Sequence, residues 1–216
     1  MDERASGIIL RTRPLTETSL IVHWLTPELG RIAVVAKGAR RPKSVFRGKL
    51  DIFYQADFSF QRSRRSDLHN LHEVSLRETH EALRSDIGRV QQAAYAVAMI
   101  EQTTETETPI AEVYDLMLGF LQHLVQVGAK PVNVLAFELK LLEVLGQSPL
   151  SEEIKLGKTA QALMEALQDC EWAQLAEAEL TMQHITELRQ FLHGFLIYHL
   201  DKLPRGRNAA IEAGNG

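Results

Sequence analysis

Up to about residue 78 the apolar positions alternate with polar ones, the signature of half-buried strands; after His80 they recur at a period near 3.6. Residues 7–13 read as a first strand with Ile8 and Leu10 opposite Ile9, and residues 19–26 as a second with Leu20, Val22 and Trp24 on one face. Pro27-Glu28-Leu29-Gly30 is turn chemistry, a pre-set proline φ followed by a permissive glycine, and a third strand follows over 31–36. Ile52, Tyr54, Ala56, Phe58 and Phe60 occupy alternate positions of a fourth strand. Residues 62–67 form a polar, basic turn, and 68–76 a fifth strand with an irregularity expected near Leu71. Five short strands in so short a stretch predict a small closed barrel. The five-stranded OB type has that strand count, and an SH3-like barrel competes from pattern alone.

In the second part Val90, Ala93, Ala94, Val97 and Ile100 mark one helix, followed by a polar link over 103–107. Thr108 with Pro109 predicts an N-cap and a proline at the first helical position, opening a helix through Leu116, Phe120, Leu121 and Leu124 that stops near Gly128. Pro131 starts another, with Leu135, Leu139, Leu142 and Leu145 inside and Gly146 at its end. Ser151 is expected to cap a further helix with Glu152 and Glu153 in its first turn, and a last helix carries Ile185, Leu188, Leu192, Phe195, Leu196 and Leu200. The expected class is α+β by segregation: an OB-type barrel over 1–79, an all-helical bundle over 80–203, and a disordered tail over 204–216.

Composition adds little to this until it is divided. The chain is 45% hydrophobic and 24% charged, has no apolar run long enough to span a membrane, and lacks a signal-like start; with its single cysteine, a cytoplasmic address is expected. Its net charge of −4 conceals an asymmetry: residues 1–80 hold 14 Lys and Arg against 9 Asp and Glu, the remainder 10 against 19.

Catalytic chemistry is hard to find. Gly157-Lys158-Thr159 resembles the end of a phosphate-binding loop, but Glu152 stands where its first glycine belongs and no strand precedes it. His69 and His72 would point to opposite faces of a strand, so with His80 they read as surface histidines of the barrel rather than metal ligands. Cys170 beside Glu171 is not an activated nucleophile. The expectation is a non-enzymatic protein without cofactor or metal.

Residues 37–49 differ. Lys37, Arg40, Arg41, Lys43, Arg47 and Lys49 are six cations in thirteen residues with no acid among them. Gly38 and Gly48 allow close backbone approach, Ser44 can donate to phosphate, and Arg31, Arg62, Arg64 and Arg65 extend the expected patch. Phe46, Phe53 and Tyr54 offer rings for bases to stack on, although Phe53, like Phe58, also reads as plain barrel core. The competing reading is a solvated loop on a barrel that binds a protein.

Arg13-Pro14-Leu15-Thr16-Glu17-Thr18-Ser19-Leu20, then Thr26 with Gly30-Arg31, then Val35-Ala36-Lys37-Gly38-Ala39-Arg40, resembles the N-terminal signature of the bacterial recombination mediator family RecO. Phe137-Glu138-Leu139-Lys140-Leu141-Leu142 with Leu145-Gly146 resembles its helical signature. The resemblance implies an OB domain, a helical domain and a non-enzymatic role. It implies binding of single- and double-stranded DNA, work with RecR and the single-stranded-DNA-binding protein, indirect loading of a RecA-type recombinase, and strand annealing. It makes Lys37 and Arg40 backbone contacts, Arg31 a weaker one, and places Phe137, Leu141 and Leu145 where a partner docks, although each also reads as bundle core. Many members carry a four-cysteine zinc module after the helical signature; here Gln147-Ser148-Pro149-Leu150-Ser151 follows, with no cysteine before Cys170.

Overall fold

The computed structural model describes residues 2–151, 157–175 and 181–213. Five strands, β1 (Asp2–Pro14), β2 (Leu20–Thr26), β3 (Gly30–Ala36), β4 (Gln55–Gln61) and β5 (Leu68–Glu78), close into a barrel in the order β1-β2-β3-β5-β4. Strand β1 is the longest because it closes the barrel: residues 2–8 pair with β4 and residues 8–14 with β2. The parallel pairing of β3 with β5, from Ala33↔Leu68 to Val35↔Asn70, completes the OB topology that the strand count suggested. Alternation delivers Val22, Trp24, Ile32, Val34, Ala36, Ala56, Phe58 and Phe60 to one core, where Trp24 stacks on Phe58 at 4.2 Å.

Three register shifts interrupt the ladders, and two of them bear on the expected pattern. The register of β1 shifts between Ile9 and Arg11, so Ile8, Ile9 and Leu10 are all buried instead of alternating. On β5, Phe60 pairs with Leu71 and Ser59 with Glu73, which skips His72 and accounts for the irregularity expected near Leu71. Strand alternation separates the histidines, as their spacing predicts. His69 is buried against the Phe60 ring with Nε2 3.2 Å from Glu107, whereas His72 lies outside, 3.1 Å from Asp2. His80 is buried as well, its Nδ1 2.8 Å from the Phe53 carbonyl. Only His72 of the three is therefore a surface histidine. Strand β4 begins at Gln55, later than the apolar pattern implies, because Ile52 and Phe53 form a turn in which Phe53 takes a φ of 67°.

The chain crosses between its two compact units three times: residues 1–80 and 104–115 form one, 81–103 and 116–216 the other. Segment 104–115 joins the barrel unit through β3, where Thr106 bridges Arg31, the Glu107 amide donates to the Arg31 carbonyl (2.9 Å) and Arg31 Nε donates to Thr104 Oγ1 (2.8 Å). Gly30, at φ +67°, seats it: a Cβ there would stand 2.3 Å from the Thr108 carbonyl oxygen. Gly30→Ala is accordingly expected to cost about 1–3 kcal/mol, read as a lower urea midpoint; an unchanged midpoint would mean this segment is not seated on β3.

The second unit is helical: α1 (Ile87–Thr103), α2 (Ala111–Val127, whose residues from Leu116 belong here), α3 (Pro131–Val144), α4 (Lys158–Asp169), α5 (Trp172–Leu175), α6 (Met182–Leu200) and α7 (Arg207–Glu212). Helix α2 starts at Ala111 rather than directly after Thr108, whose hydroxyl donates to the Thr106 carbonyl at 3.4 Å; the preceding residues are held on β3 before a helix can begin. Helix α3 is its centre, buried at every position from 131 to 142 except Lys140. It ends as Gly146 predicted: at φ +70° the Gly146 amide donates to Glu143 O (2.9 Å) and Gln147 to Leu142 O (2.8 Å). The cap expected from Ser151 with Glu152 and Glu153 lies outside the described residues.

The tail requires a correction. Residues 207–212 form α7, and Arg207 is buried: its Nε and Nη2 donate to Glu138 at 2.6 and 2.8 Å, and the Tyr95 hydroxyl donates to the same carboxylate. Gln92 Nε2 donates to Ala210 O at 2.9 Å. Pro204 and the glycines predict disorder, but α7 docks by burying Arg207, Ala210 and Ile211, too short a set to show as an apolar pattern.

Candidate nucleic-acid interface

The basic loop between β3 and β4 is a chain of consecutive turns. The amides of Ala39, Arg41, Ser44, Arg47 and Lys49 donate to the carbonyls of Ala36, Gly38, Arg41, Ser44 and Phe46, each three residues back, at 3.0–3.3 Å. Gly38 and Gly48 supply φ values of +70° and +73° that let this path bend. Three anchors fix it to the barrel. Phe46 inserts its ring into the core and is 7% exposed. Arg40 donates from its amide to Thr18 O (3.0 Å) and from Nη1 to Thr16 O (3.3 Å), joining the β1–β2 hairpin. Lys49 Nζ donates to Val74 O on β5 at 3.1 Å.

The result is a rigid ledge from which Lys37, Arg40, Arg41, Lys43 and Arg47 project into solvent. With the backbone already ordered, only the cationic side chains lose conformational freedom when phosphates replace their counterions. Lys49 is partly buried by its bond to Val74 and serves as an anchor.

Other predicted contributors are placed elsewhere. Arg31 is committed to Thr104 at the Gly30 end of β3, about 20 Å along the strand from Lys37. Because β5 runs parallel to β3 and enters opposite Ala33, the turn over 62–67 also lies toward that end. There Arg62 donates to Glu3 (3.0 Å) and Glu107 (2.9 Å), and the Glu3 carboxyl is held below its usual range chiefly by this bond. Of the three proposed stacking rings, Phe46 and Phe53 are barrel core and Tyr54 is half-buried.

The apolar residues of the helical signature are also relocated. Phe137 and Leu141 are fully buried, Phe137 4.7 Å from the Phe120 ring, so no partner can touch them; Leu145 is half-buried. Its polar members carry the unexpected roles. Glu138 receives Arg207 and Tyr95, while Lys140 Nζ donates to the carbonyls of Gln168 and Cys170 at the end of α4, 5.6 Å from the Trp172 ring. Sequence reasoning missed Phe46 as the loop's anchor. The available signal was that it is the only aromatic in a cationic, glycine-bounded stretch.

Among the described residues no group of three His, Cys, Asp or Glu is placed to hold a metal ion. A chain with one cysteine cannot furnish a four-thiolate zinc site. No helix among those residues is long and apolar enough to cross a membrane.

Comparison with known proteins agrees with both units. The family model described as recombination protein O N terminal matches residues 1–80, and that of the recombination protein O C terminal matches residues 84–161. The DNA repair protein RecO of Rhodopirellula baltica is 33% identical over 146 residues, covering 68% of this chain and 54% of that protein. That of Anaeromyxobacter dehalogenans is 32% identical, covering 68% and 58%; that of Alkaliphilus metalliredigens is 31% identical over 160 residues, covering 73% and 64%. The match thus spans rather more than half the length of these relatives.

Proposed function

As the chain belongs to the RecO family, we propose that it is a DNA-binding recombination mediator in DNA repair. The barrel captures single- and double-stranded DNA through the exposed cations of its loop. The helical unit engages RecR and the single-stranded-DNA-binding protein, and a RecA-type recombinase is loaded as the indirect outcome. Capture of two strands by the same electrostatic contacts would support annealing. The protein works in the cytoplasm on the nucleoid, and its role needs no catalytic step.

The observation that carries this reading is the ledge itself: five exposed cations on hydrogen-bonded turns, with no carboxylate between residues 37 and 49. Five phosphate contacts on single-stranded DNA would give a slope of log affinity against log salt of about −3.5. Fluorescence anisotropy with labelled single-stranded and duplex oligonucleotides across a salt series measures it, and repeating the titration with RecR and the single-stranded-DNA-binding protein tests the partners. Absence of DNA binding at low salt would favour a barrel that serves a protein partner instead.

A further inference from the structure

Strand β1 changes partner at Ile8, which pairs with Leu25 of β2 on one side and Gln55 of β4 on the other. Residues 2–7 therefore have β4 along one edge and no strand along the other. Continuing the β1–β2 register would set Ser6 opposite Pro27, which has no amide to donate and opens the β2–β3 turn instead. Ile9 gives the direction of the backbone groups. Its amide donates to Tyr54 O (2.9 Å) and its carbonyl accepts from the Phe53 amide (2.8 Å), both on the β4 side. By alternation Gly7, Ala5 and Glu3 also face β4, and the amides and carbonyls of Arg4 and Ser6 face the open edge. Among the described residues these groups have no hydrogen-bond partner.

A cavity of about 1130 Å³ borders residues 3–6 of this strand and reaches Glu28 and Leu29 of the β2–β3 turn. Leu29, Val45 and Phe46 line it with apolar surface, and Val45 is 72% exposed in a loop that otherwise presents charge. Its charge is opposite to that of the loop: Glu3, Glu28, Asp57 and Glu73 line it against the cations Arg4 and Lys49. Arg62 holds Glu3, Arg77 and Ser6 hold Asp57, and Lys49 is bound to Val74 O. Glu28 and Glu73 are exposed and make no hydrogen bond or ion pair among the described residues. Such a field repels phosphate and attracts cations.

We propose that the open edge of β1 is a docking site for an extended segment of a protein partner in which basic and apolar residues alternate. The segment adds as a strand. Main-chain hydrogen bonds to Arg4 and Ser6 set its register, apolar side chains enter the cavity against Leu29, Val45 and Phe46, and basic ones answer Glu28 and Glu73. The site is separate from the cations of the loop and stands without the DNA-capture reading.

The probe is a capped peptide of about seven alternating lysine and valine residues, long enough to span the free edge. Titrated into the full isotope-labelled chain, it is expected to move the Arg4 and Ser6 amide resonances downfield and to slow their hydrogen exchange. A peptide of the same composition with its lysines and valines in separate blocks should bind about tenfold more weakly. Arg4→Pro removes one edge amide where proline is tolerated and should weaken binding about tenfold. Arg4→Ala keeps the amide, removes a like charge and should bind at least as well as the parent. A parental urea midpoint shows that Arg4→Pro is folded. Glu28→Lys combined with Glu73→Lys changes only exposed side chains, and should cost about tenfold or more and abolish the salt dependence of binding. Arg4 and Ser6 amides that ignore the peptide, or variants that bind it like the parent, would overturn the proposal. So would movement of the same amides with oligothymidylate alone, which assigns the cleft to nucleic acid, or with protein concentration alone, which assigns the edge to a second copy of the chain.

Discussion

Changing Lys37, Arg40 and Arg41 together to glutamate is expected to lower affinity for single-stranded DNA by about a thousandfold while leaving the fold intact. A charged hydrogen bond is worth about 1.5 kcal/mol or more, and three of them correspond to about three decades in the binding constant before like-charge repulsion is added. The salt slope should fall from about −3.5 to about −1.4, because two exposed cations, Lys43 and Arg47, remain. Stability should hardly change. Lys37 and Arg41 make no side-chain hydrogen bond among the described residues, and Arg40 makes one, at 3.3 Å to Thr16 O. Glutamine at the same three positions separates lost attraction from new repulsion: it should give the same reduced slope with a smaller loss of affinity. A triple glutamate variant with the parent's slope would remove the loop from the interface.

The strands were readable because a barrel buries one face of each, so Leu20, Val22 and Trp24 announce β2 without help from elsewhere. Local pattern cannot register an extra residue in a ladder, which is why the burial of Leu10 beside Ile9 escaped it, although the irregularity near Leu71 was legible. The cations of the loop were legible as charge, since exposure costs them nothing and their order in the chain is their order on the ledge. Their support was not. Phe46 looked like a free ring because the sequence does not say that the loop folds back onto the barrel core, whereas Phe53 already read as barrel core. Arg31 looked like one more cation because its partner, Thr104, lies 73 residues away. The same limit hid Glu138: a carboxylate at a core position of α3 is intelligible only with Arg207 beside it.

That pair carries the second large effect. Glu138 and Arg207 side chains are 0% and 2% exposed, so each charge has exchanged water for the other and for Tyr95. Burial and the neighbouring carboxylate push the Tyr95 phenol well above its usual range, which keeps it a donor. Arg207→Ala is expected to destabilise the protein by about 3–5 kcal/mol, because it strands a buried carboxylate, and to release α7 from α3. Glu138→Leu combined with Arg207→Met and Tyr95→Phe removes all three polar groups and should recover most of the loss, since an apolar set of similar volume replaces an ion pair at little cost. Urea unfolding of the parent, the single and the triple variant reads all of this. A single variant that loses less than 1 kcal/mol would mean that Arg207 is not buried against Glu138 in solution.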